Sequence, residues 1–231
     1  MAEVTANYAL FDHLRLNQAL EEFGYCVFNA ESAVDTDSII KELSHRLNEK
    51  VFSAWHSLMP SPSSYASPVS YSGLFGLEKF PFHTDMAHWK RPPRYLVLMA
   101  ESGADDVTTP IIDSLELVEK IGRRTLNRAL VRPRRPVRGK LPLMRLLDAS
   151  NDNNSIFRWD SVFLTPASPA GEAGFSALST AIGSERAYEL RLSTKGIGVV
   201  IDNWRILHGR SAVSTKDKGR IILRAYLGRA E

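Results

Sequence analysis

The sequence has very little cysteine and no long apolar run, and both absences narrow the class of protein. Its 231 residues include one cysteine, Cys26, so an internal disulfide is excluded and a reducing compartment is favoured. No apolar stretch approaches the roughly 18 residues that a membrane-spanning helix needs. Residues 1–4 lack the basic and then apolar order of a secretory signal. We therefore expect a cytoplasmic protein with no membrane segment.

The excess of charge is also small, since the net charge is +3. Much of it lies in residues 132–140 (RPRRPVRGK), which contain no acidic residue. Such a run can bind nucleic acid or another anion. No aromatic residue interleaves it to stack on a base, so we interpret it as a solvated, proline-stiffened loop and disfavour nucleic acid as a partner.

Hydrophobic periodicity predicts helices at the front of the chain and strands behind them. The expected helices are 11–23, 35–52, 113–121 and 170–182. The expected strands are 25–28, 95–100, 108–112, 155–164, 196–202 and 219–227. Because no repeat or linker is found, we expect one domain over 1–231. In it, about 1–55 is helical support, 56–79 a mobile loop over a cavity, and 80–231 a β-rich core with an insert.

Two short motifs together offer a possible metal site. Phe-His-Thr-Asp (82–85) contains His83 and Asp85, and Ile-Asp-Asn-Trp-Arg-Ile-Leu-His-Gly-Arg (201–210) contains His208. About 0.7 His-x-acid matches are expected by chance, so spacing alone is weak. In a strand, residues i and i+2 share a face, which would let His83 and Asp85 converge on one ion. Two histidines and a carboxylate are the ligand set of non-haem Fe(II) oxygenases; the alternative is surface polar residues.

Two arginines strengthen the metal-site interpretation. Arg220 and Arg224 occupy a strand that is otherwise apolar, where i and i+4 share a face. Charges there are costly unless an anion meets them, and guanidinium groups bind carboxylates with two parallel hydrogen bonds. A pair of structural salt bridges is the alternative.

With these residues the chain resembles the Fe(II)/2-oxoglutarate-dependent oxygenases. The resemblance covers most of residues 24–227 and is greatest to the branch of taurine dioxygenase, clavaminate synthase and the asparagine and arginine hydroxylases. It is carried by the segments Phe-His-Thr-Asp-Met-Ala-His (82–88), Phe-Arg-Trp-Asp (157–160), Asp-Asn-Trp-Arg-Ile-Leu-His-Gly-Arg (202–210) and the strand of the two arginines. It implies an α+β, mainly β fold: a double-stranded β-helix, or jelly roll, with flanking N-terminal and inserted helices.

The resemblance also implies cofactors and roles. Fe(II), 2-oxoglutarate and O2 would be used, with His83, Asp85 and His208 as iron ligands. Arg220 and Thr109 would bind the distal carboxylate of 2-oxoglutarate, with Thr108 as a near-equal alternative to Thr109. The expected reaction is hydroxylation of an unactivated C–H bond, releasing succinate and CO2; desaturation or cyclisation is the alternative.

The substrate is expected to be a small carboxylate-bearing molecule, an amino acid or a derivative. Arg224 would bind its carboxylate, and Arg158 with Asp160 would add a charge pair near the mouth of the site or form a structural salt bridge. Trp89 would wall the pocket while His88 faces away. The segment 70–75 would touch the substrate.

The spacing of the ligand candidates bears on how open the site is. The span from His83 to His208 is 125 residues, short for the branch, so a reduced lid and an open site are expected.

Two other classes of protein remain as alternatives. One is a zinc-dependent hydrolase that uses the same three ligands, and the other is a non-enzymatic jelly-roll binding module that uses residues 132–140.

Overall fold

The computed structural model describes residues 13–30, 35–67, 69–149 and 155–229. The helices are α1 (His13–Phe23), α2 (Thr36–Arg46), α3 (Tyr71–Phe75), α4 (Ser114–Ile121), α5 (Arg123–Arg128) and α6 (Pro169–Ser184). The strands are β1 (Tyr25–Asn29), β2 (Val51–Leu58), β3 (Phe80–His83), β4 (Tyr95–Ser102), β5 (Thr108–Asp113), β6 (Leu130–Pro133), β7 (Met144–Arg145), β8 (Leu147–Asp148), β9 (Ile156–Phe157), β10 (Leu164–Pro166), β11 (Tyr188–Arg191), β12 (Ile197–Asp202), β13 (Ile206–Arg210) and β14 (Ile221–Leu227). Short 3₁₀ turns lie at Ser63–Tyr65 and Thr215–Asp217.

Two antiparallel sheets make up the centre of the fold. The larger has the strand order β1-β12-β4-β14-β2, and the smaller has the order β11-β5-β13-β3. Apolar side chains of both sheets, such as Leu98 of β4 and Ile206 of β13, form one buried cluster between them. Sheet-on-sheet packing of this kind buries one face of every strand. The arrangement is the mainly β, α+β jelly roll that we expected.

Strand β4 shows why the N-terminal helices are needed. Leu96 and Leu98 lie in the cluster between the sheets, whereas Val97 and Met99 pack with apolar residues of α1 and α2 on the outer face. Since successive side chains of a strand point to opposite faces, β4 must be apolar at both sets of positions. The helices therefore cover the outer face of the larger sheet.

A third cluster belongs to the inserted elements between β5 and β11. Leu117 of α4, Leu126 of α5 and Leu178 of α6 pack with Phe157 and with Leu207 of β13. Strands β6, β7 and β10 form a small sheet of their own, as do β8 and β9. The insert thus extends the core at one end of the smaller sheet, next to the motif residues. No helix in the described part of the chain is long and apolar enough to cross a bilayer.

The helix predicted over 35–52 is shorter than expected. It ends at Arg46, because Asn48 adopts a left-handed backbone (φ 49°) that stops the helix. Val51–Leu58 is instead β2, the edge strand of the larger sheet, paired with β14. The boundary expected near residue 55 therefore falls inside a strand. For the first helix, residues 11 and 12 lie outside the described part of the chain.

The strand predicted over 155–164 is also interrupted. Asp160 accepts hydrogen bonds from the backbone N–H groups of Val162 and Phe163, each at 2.8 Å. An aspartate that bonds the backbone two residues later makes a turn. The segment is therefore β9, a turn and then β10. In the expected loop 56–79, the structure places the end of β2, a 3₁₀ turn and α3.

Candidate metal centre and its cavity

The structure brings His83, Asp85 and His208 together at the end of the smaller sheet. His83 is the last residue of β3 and lies directly opposite His208 of β13 in the antiparallel pair. Asp85 lies in the turn after β3 rather than within a strand. The expectation about local geometry was therefore wrong, because His83 and Asp85 do not share a strand face. Cross-strand pairing brings the two histidines together.

The three side chains converge on one point. Nε2 of His83 lies 3.3 Å from Oδ1 of Asp85, and Nε2 of His208 lies 3.7 Å from the same oxygen. One potential ligand atom from each residue lies within 4.8 Å of the others. All three residues are buried. Two imidazoles and one carboxylate in this arrangement fit a facial triad, which leaves open positions on the metal.

Hydrogen bonding fixes which nitrogen of His83 faces the site. Nδ1 lies 2.9 Å from the backbone oxygen of Pro81, and because a carbonyl only accepts, Nδ1 carries the proton. Nε2 is then free to bind a metal, as is usual for ligating histidines. Burial raises the pKa of Asp85, but His208 and His83 outweigh it and hold the pKa well below its usual range. Burial lowers the pKa of His208. These shifts favour a carboxylate at Asp85 and a neutral imidazole at His208.

Asp85 is held through both its side chain and its backbone. The Tyr226 hydroxyl donates to Oδ2 at 2.6 Å, and Nη1 of Arg224 lies 3.8 Å from that oxygen. The N–H of Asp85 donates to the side-chain oxygen of Asn203 at 2.7 Å, and the Asn203 amide donates back to the Asp85 carbonyl at 2.9 Å. Neither Tyr226 nor Asn203 was singled out from the sequence. Tyr226 shares the strand face of Arg224 at i+2, a signal that could have found it.

Arg158 does not lie in the cavity, contrary to the expectation that it binds substrate. Its side chain is buried (1% exposed) and donates to the backbone oxygens of Arg145, Ala87, Trp89 and Lys90 at 2.8–3.1 Å. Arg158 does not pair with Asp160 either, because Asp160 accepts hydrogen bonds from the backbone of the turn that follows it. Arg158 therefore fixes the chain that follows Asp85, because its donors are satisfied by carbonyl groups.

Two other predicted residues do line the cavity. Arg220 is buried and its Nε has no hydrogen-bond partner among the described residues. Thr109 is also buried and lines the same cavity. Thr108 points elsewhere, since its hydroxyl donates to Glu189. An unpaired buried guanidinium is costly, so the arrangement fits an anionic ligand at Arg220 and favours Thr109 over Thr108.

The cavity around the three metal-binding candidates has a volume of about 1060 Å³. This volume lies just above the range of roughly 300–1,000 Å³ that is typical of small-molecule sites. Trp89 lines it as expected, and His88 lines it too, so the expectation that His88 faces away was wrong. Trp89 Nε1 donates to His88 Nε2 at 3.1 Å. The Tyr71 ring, in the segment 70–75, stacks on His83 with centroids 4.2 Å apart.

Comparison with known proteins places the chain in a family. The model for "Taurine catabolism dioxygenase TauD, TfdA family" matches residues 5–226. The chain belongs to this family. It is thus a 2-oxoglutarate-dependent non-haem iron dioxygenase, and the predicted enzyme class and the cofactors Fe(II), 2-oxoglutarate and O2 are confirmed. This sets aside the zinc hydrolase and the binding module.

Solved structures agree with the fold of a TauD/TfdA dioxygenase. An asparagine oxygenase in complex with Fe(II), 2S,3S-3-hydroxyasparagine and succinate superposes with a TM-score of 0.70 at 15% identity, covering 93% of this chain and 78% of that one. The non-haem iron oxygenase OrfP, in complex with Fe and α-ketoglutaric acid, gives 0.72 at 19% identity, covering 94% and 78%. OrfP with Fe, succinate and (3S)-hydroxy-L-Arg gives 0.69 at 19% identity, covering 93% and 78%. A search of curated proteins gives no match.

Proposed function

We propose that this TauD/TfdA dioxygenase hydroxylates an unactivated C–H bond of a small carboxylate-bearing substrate, an amino acid or a derivative of one, with release of succinate and CO2. One observation carries the proposal: the buried, unpaired Arg220 and the cavity-lining Arg224 stand beside the three metal-binding candidates in one cavity. Two guanidinium groups suit two carboxylate ligands. The hydroxylated amino acids held by the asparagine oxygenase and OrfP support this substrate class.

In this proposal His83, Asp85 and His208 hold the iron. Nε2 of each histidine and Oδ1 of Asp85 are the ligand atoms, since Oδ2 of Asp85 is engaged by Tyr226. Bound Fe(II), with 2-oxoglutarate and O2, supplies the oxidising chemistry needed to break a C–H bond. The task of the protein is then to place the correct bond at the metal and to exclude others.

Arg220 and Thr109 would bind the distal carboxylate of 2-oxoglutarate. Arg220 supplies a charged donor in a buried wall, where hydrogen bonds to charged groups are stronger than in water. The Thr109 hydroxyl adds a neutral donor in the same wall. Arg224 would bind the substrate carboxylate, as its Nε has no partner among the described residues. Burial lowers the pKa of Arg224, but the Asp85 carboxylate outweighs it and the pKa is raised, so Arg224 stays charged.

The remaining parts of the proposal concern the molecule as a whole. We propose one oxygenase domain over 1–231, in which α1 and α2 support the larger sheet, the loop expected over 56–79 contributes to the cavity wall, and the jelly-roll core with its insert occupies 80–231. We also propose a cytoplasmic location, because the single cysteine favours a reducing compartment.

An anaerobic titration of metal-free protein with Fe(II) and 2-oxoglutarate tests the proposal. The readout is the weak visible charge-transfer band of the chelate. We expect a band that is lost in His208→Ala and weakened in Arg220→Ala, and a screen of amino acids for succinate release then identifies the substrate. Folded wild-type protein that gives no band would overturn the assignment of these residues.

A further inference from the structure

The basic segment 133–138 is part of the cavity wall, not a loop remote from the site. Arg134, Arg135 and Arg138 line the same cavity as the three metal-binding candidates. All three side chains are exposed to solvent, so they lie at the mouth rather than at the metal. The segment therefore has access both to solvent and to a molecule entering the site.

The backbone of this segment is organised before any ligand binds. Val137 and Lys140 exchange two backbone hydrogen bonds, at 2.8 and 3.0 Å. Arg138 (φ 49°) and Gly139 (φ 76°) occupy the turn between them, and two successive positive φ angles are the requirement of a type I′ hairpin turn. The N–H of Arg134 also donates to the Phe163 carbonyl at 2.8 Å. The arginines are thus presented on a fixed turn.

Arg138 is held against a residue of the cavity. Its guanidinium carbon lies 4.9 Å from the centroid of the Trp89 ring, a distance at which a cation interacts favourably with an aromatic face. A left-handed backbone is uncommon for residues other than glycine. The turn and the stacking together place a positive charge on the cavity wall.

The charge of the cavity is strongly one-sided. Asp85 is the one carboxylate among its lining residues. The arginines of the lining are Arg134, Arg135, Arg138, Arg210, Arg220 and Arg224. Arg210 is occupied, since it donates to the carbonyl groups of Gly76 and Glu78 at 2.7 Å. In the described part of the chain, no carboxylate forms an ion pair with any of the three arginines at the mouth.

Residues at positions 58–60, 69 and 74 contribute an apolar part of the wall. Leu58, Met59, Pro60, Val69 and Leu74 line the cavity there, and Met59, Val69 and Leu74 are large exposed apolar residues. Covering such side chains with a ligand removes apolar surface from water, which favours binding. The wall of the cavity therefore offers a ligand both apolar surface and positive charge, in addition to the three metal-binding candidates.

We propose that segment 133–138 binds a second anionic group of the substrate. The substrate is then an elongated amphiphilic molecule: a carboxylate near Arg224, an apolar body, and a carboxylate, sulfate or phosphate at the arginines of the mouth. This inference rests on the proposed function and refines its substrate class. Amino-acid derivatives with a distal anionic group fit the cavity, whereas a free amino acid as short as asparagine would leave the mouth arginines without an anionic partner.

Matched pairs of amino acids test the proposal. Each pair has the same number of carbons and differs in a terminal carboxylate: 2-aminoadipate with 2-aminohexanoate, and 2-aminosuberate with 2-aminooctanoate. Calorimetric titration is done anaerobically with Fe(II) and saturating 2-oxoglutarate, so that the 2-oxoglutarate site is filled. We expect the dicarboxylate of at least one pair to bind about tenfold more tightly, the value of one charged hydrogen-bonded contact.

Variants assign the preference to the segment. In Arg134→Gln/Arg135→Gln/Arg138→Gln the preference should fall below about threefold, with binding of the monocarboxylate unchanged. The matched control, Arg124→Gln/Arg128→Gln/Arg186→Gln, removes the same charge from exposed arginines that do not line the cavity. It should retain the full preference.

Three outcomes would overturn the inference. They are equal affinities within every pair, an equal loss in the control variant, or displacement of 2-aminosuberate by a short single-stranded DNA that binds through the same arginines. The last would assign the segment to nucleic acid. Failure of the proposed function is distinguishable, because it removes the charge-transfer band from the wild-type protein, whereas loss of the mouth site leaves the band intact.

Discussion

The Tyr226 hydroxyl donates to Oδ2 of Asp85 at 2.6 Å, while Oδ1 of the same carboxylate faces both histidines. The two oxygens of Asp85 therefore have different environments. A hydrogen bond to a ligating group from outside the metal site restricts its orientation and adjusts its basicity. Tyr226 is thus a positioning residue for the metal ligand, and it lies on the strand that also carries Arg224.

Tyr226→Phe should weaken Fe(II) binding by about 10- to 100-fold, because Asp85 loses the partner that orients it. Anaerobic competition between the protein and a metal-binding dye measures the affinity directly, without reference to turnover. Tyr25→Phe is the matched control, since Tyr25 is half-buried on β1, three strands away from β14 in the larger sheet, and stacks on Tyr188. An unchanged affinity of Tyr226→Phe for Fe(II) would show that Tyr226 does not position the Asp85 carboxylate.

Asn203 makes an equally specific contribution to stability. Its side chain accepts from the N–H of Asp85 and donates to the carbonyl groups of Asp85 and Pro93, at 2.7, 2.9 and 3.0 Å. Asn203→Asp removes both donors and buries a charge, so we expect the free energy of unfolding to fall by about 3 kcal/mol or more.

Urea denaturation of the two proteins measures this difference. Asn127→Asp serves as the control, because Asn127 is partly exposed and donates to one carbonyl at 3.2 Å. Its free energy of unfolding should fall clearly less than that of Asn203→Asp. Equal losses in both variants would show that the hydrogen bonds between Asn203 and Asp85 make no specific contribution to stability.

Four of the five strands of the larger sheet, all except β2, were predictable because their signals are local. The apolar run of β4 and the alternation around Arg220 and Arg224 specify buried strands by composition alone. His83, Asp85 and His208 were found because a known family shares their order and setting. By contrast, the end of α2 depends on one left-handed residue, Asn48, that leaves no mark in the hydrophobic pattern.

What the sequence could not supply was the set of long-range contacts. Arg158 was expected in the substrate site because it is charged and belongs to a family motif. Its true partners are the carbonyl groups of residues 87, 89, 90 and 145, and backbone acceptors carry no sequence signature. The same limit hid the basic segment, whose place in the cavity wall follows from β6 and β10 pairing beside Phe163.

Arg158→Lys should destabilise the protein by about 3 kcal/mol or more, because the compact ammonium group cannot reach carbonyl groups on two separate segments and leaves buried acceptors unpaired. Chemical denaturation of Arg158→Lys and of Arg132→Lys, an exposed position on β6, checks this. The free energy of unfolding of Arg132→Lys should differ from that of the wild type by no more than about 0.5 kcal/mol. A stable Arg158→Lys protein with weakened substrate binding would return Arg158 to the substrate site.

Cys26 predicts a specific dependence of stability on pH. Burial raises the pKa of its thiol above the ordinary value of 9.0. Below that value the thiol is neutral in both folded and unfolded chains, so it adds no pH dependence. As the pH rises from 9.0 through the pKa of the folded protein, the unfolded chain ionises first and stability is lost. The free energy of unfolding should therefore fall more steeply with pH in the wild type than in Cys26→Ala. Parallel curves would contradict a buried thiol.

Adjacent threonines offer a direct test of how 2-oxoglutarate is bound. Thr109 lines the same cavity as Arg220, while the Thr108 hydroxyl donates to Glu189 on the neighbouring strand. Valine keeps the shape of threonine but removes the hydroxyl. Thr109→Val should therefore weaken 2-oxoglutarate binding by about three- to tenfold, the value of one neutral hydrogen bond, and Thr108→Val should leave it unchanged. Titration of each variant with 2-oxoglutarate in the presence of anaerobic Fe(II) gives both affinities. If Thr108→Val weakens binding and Thr109→Val does not, the hydroxyl in the cavity wall has no part in holding the co-substrate.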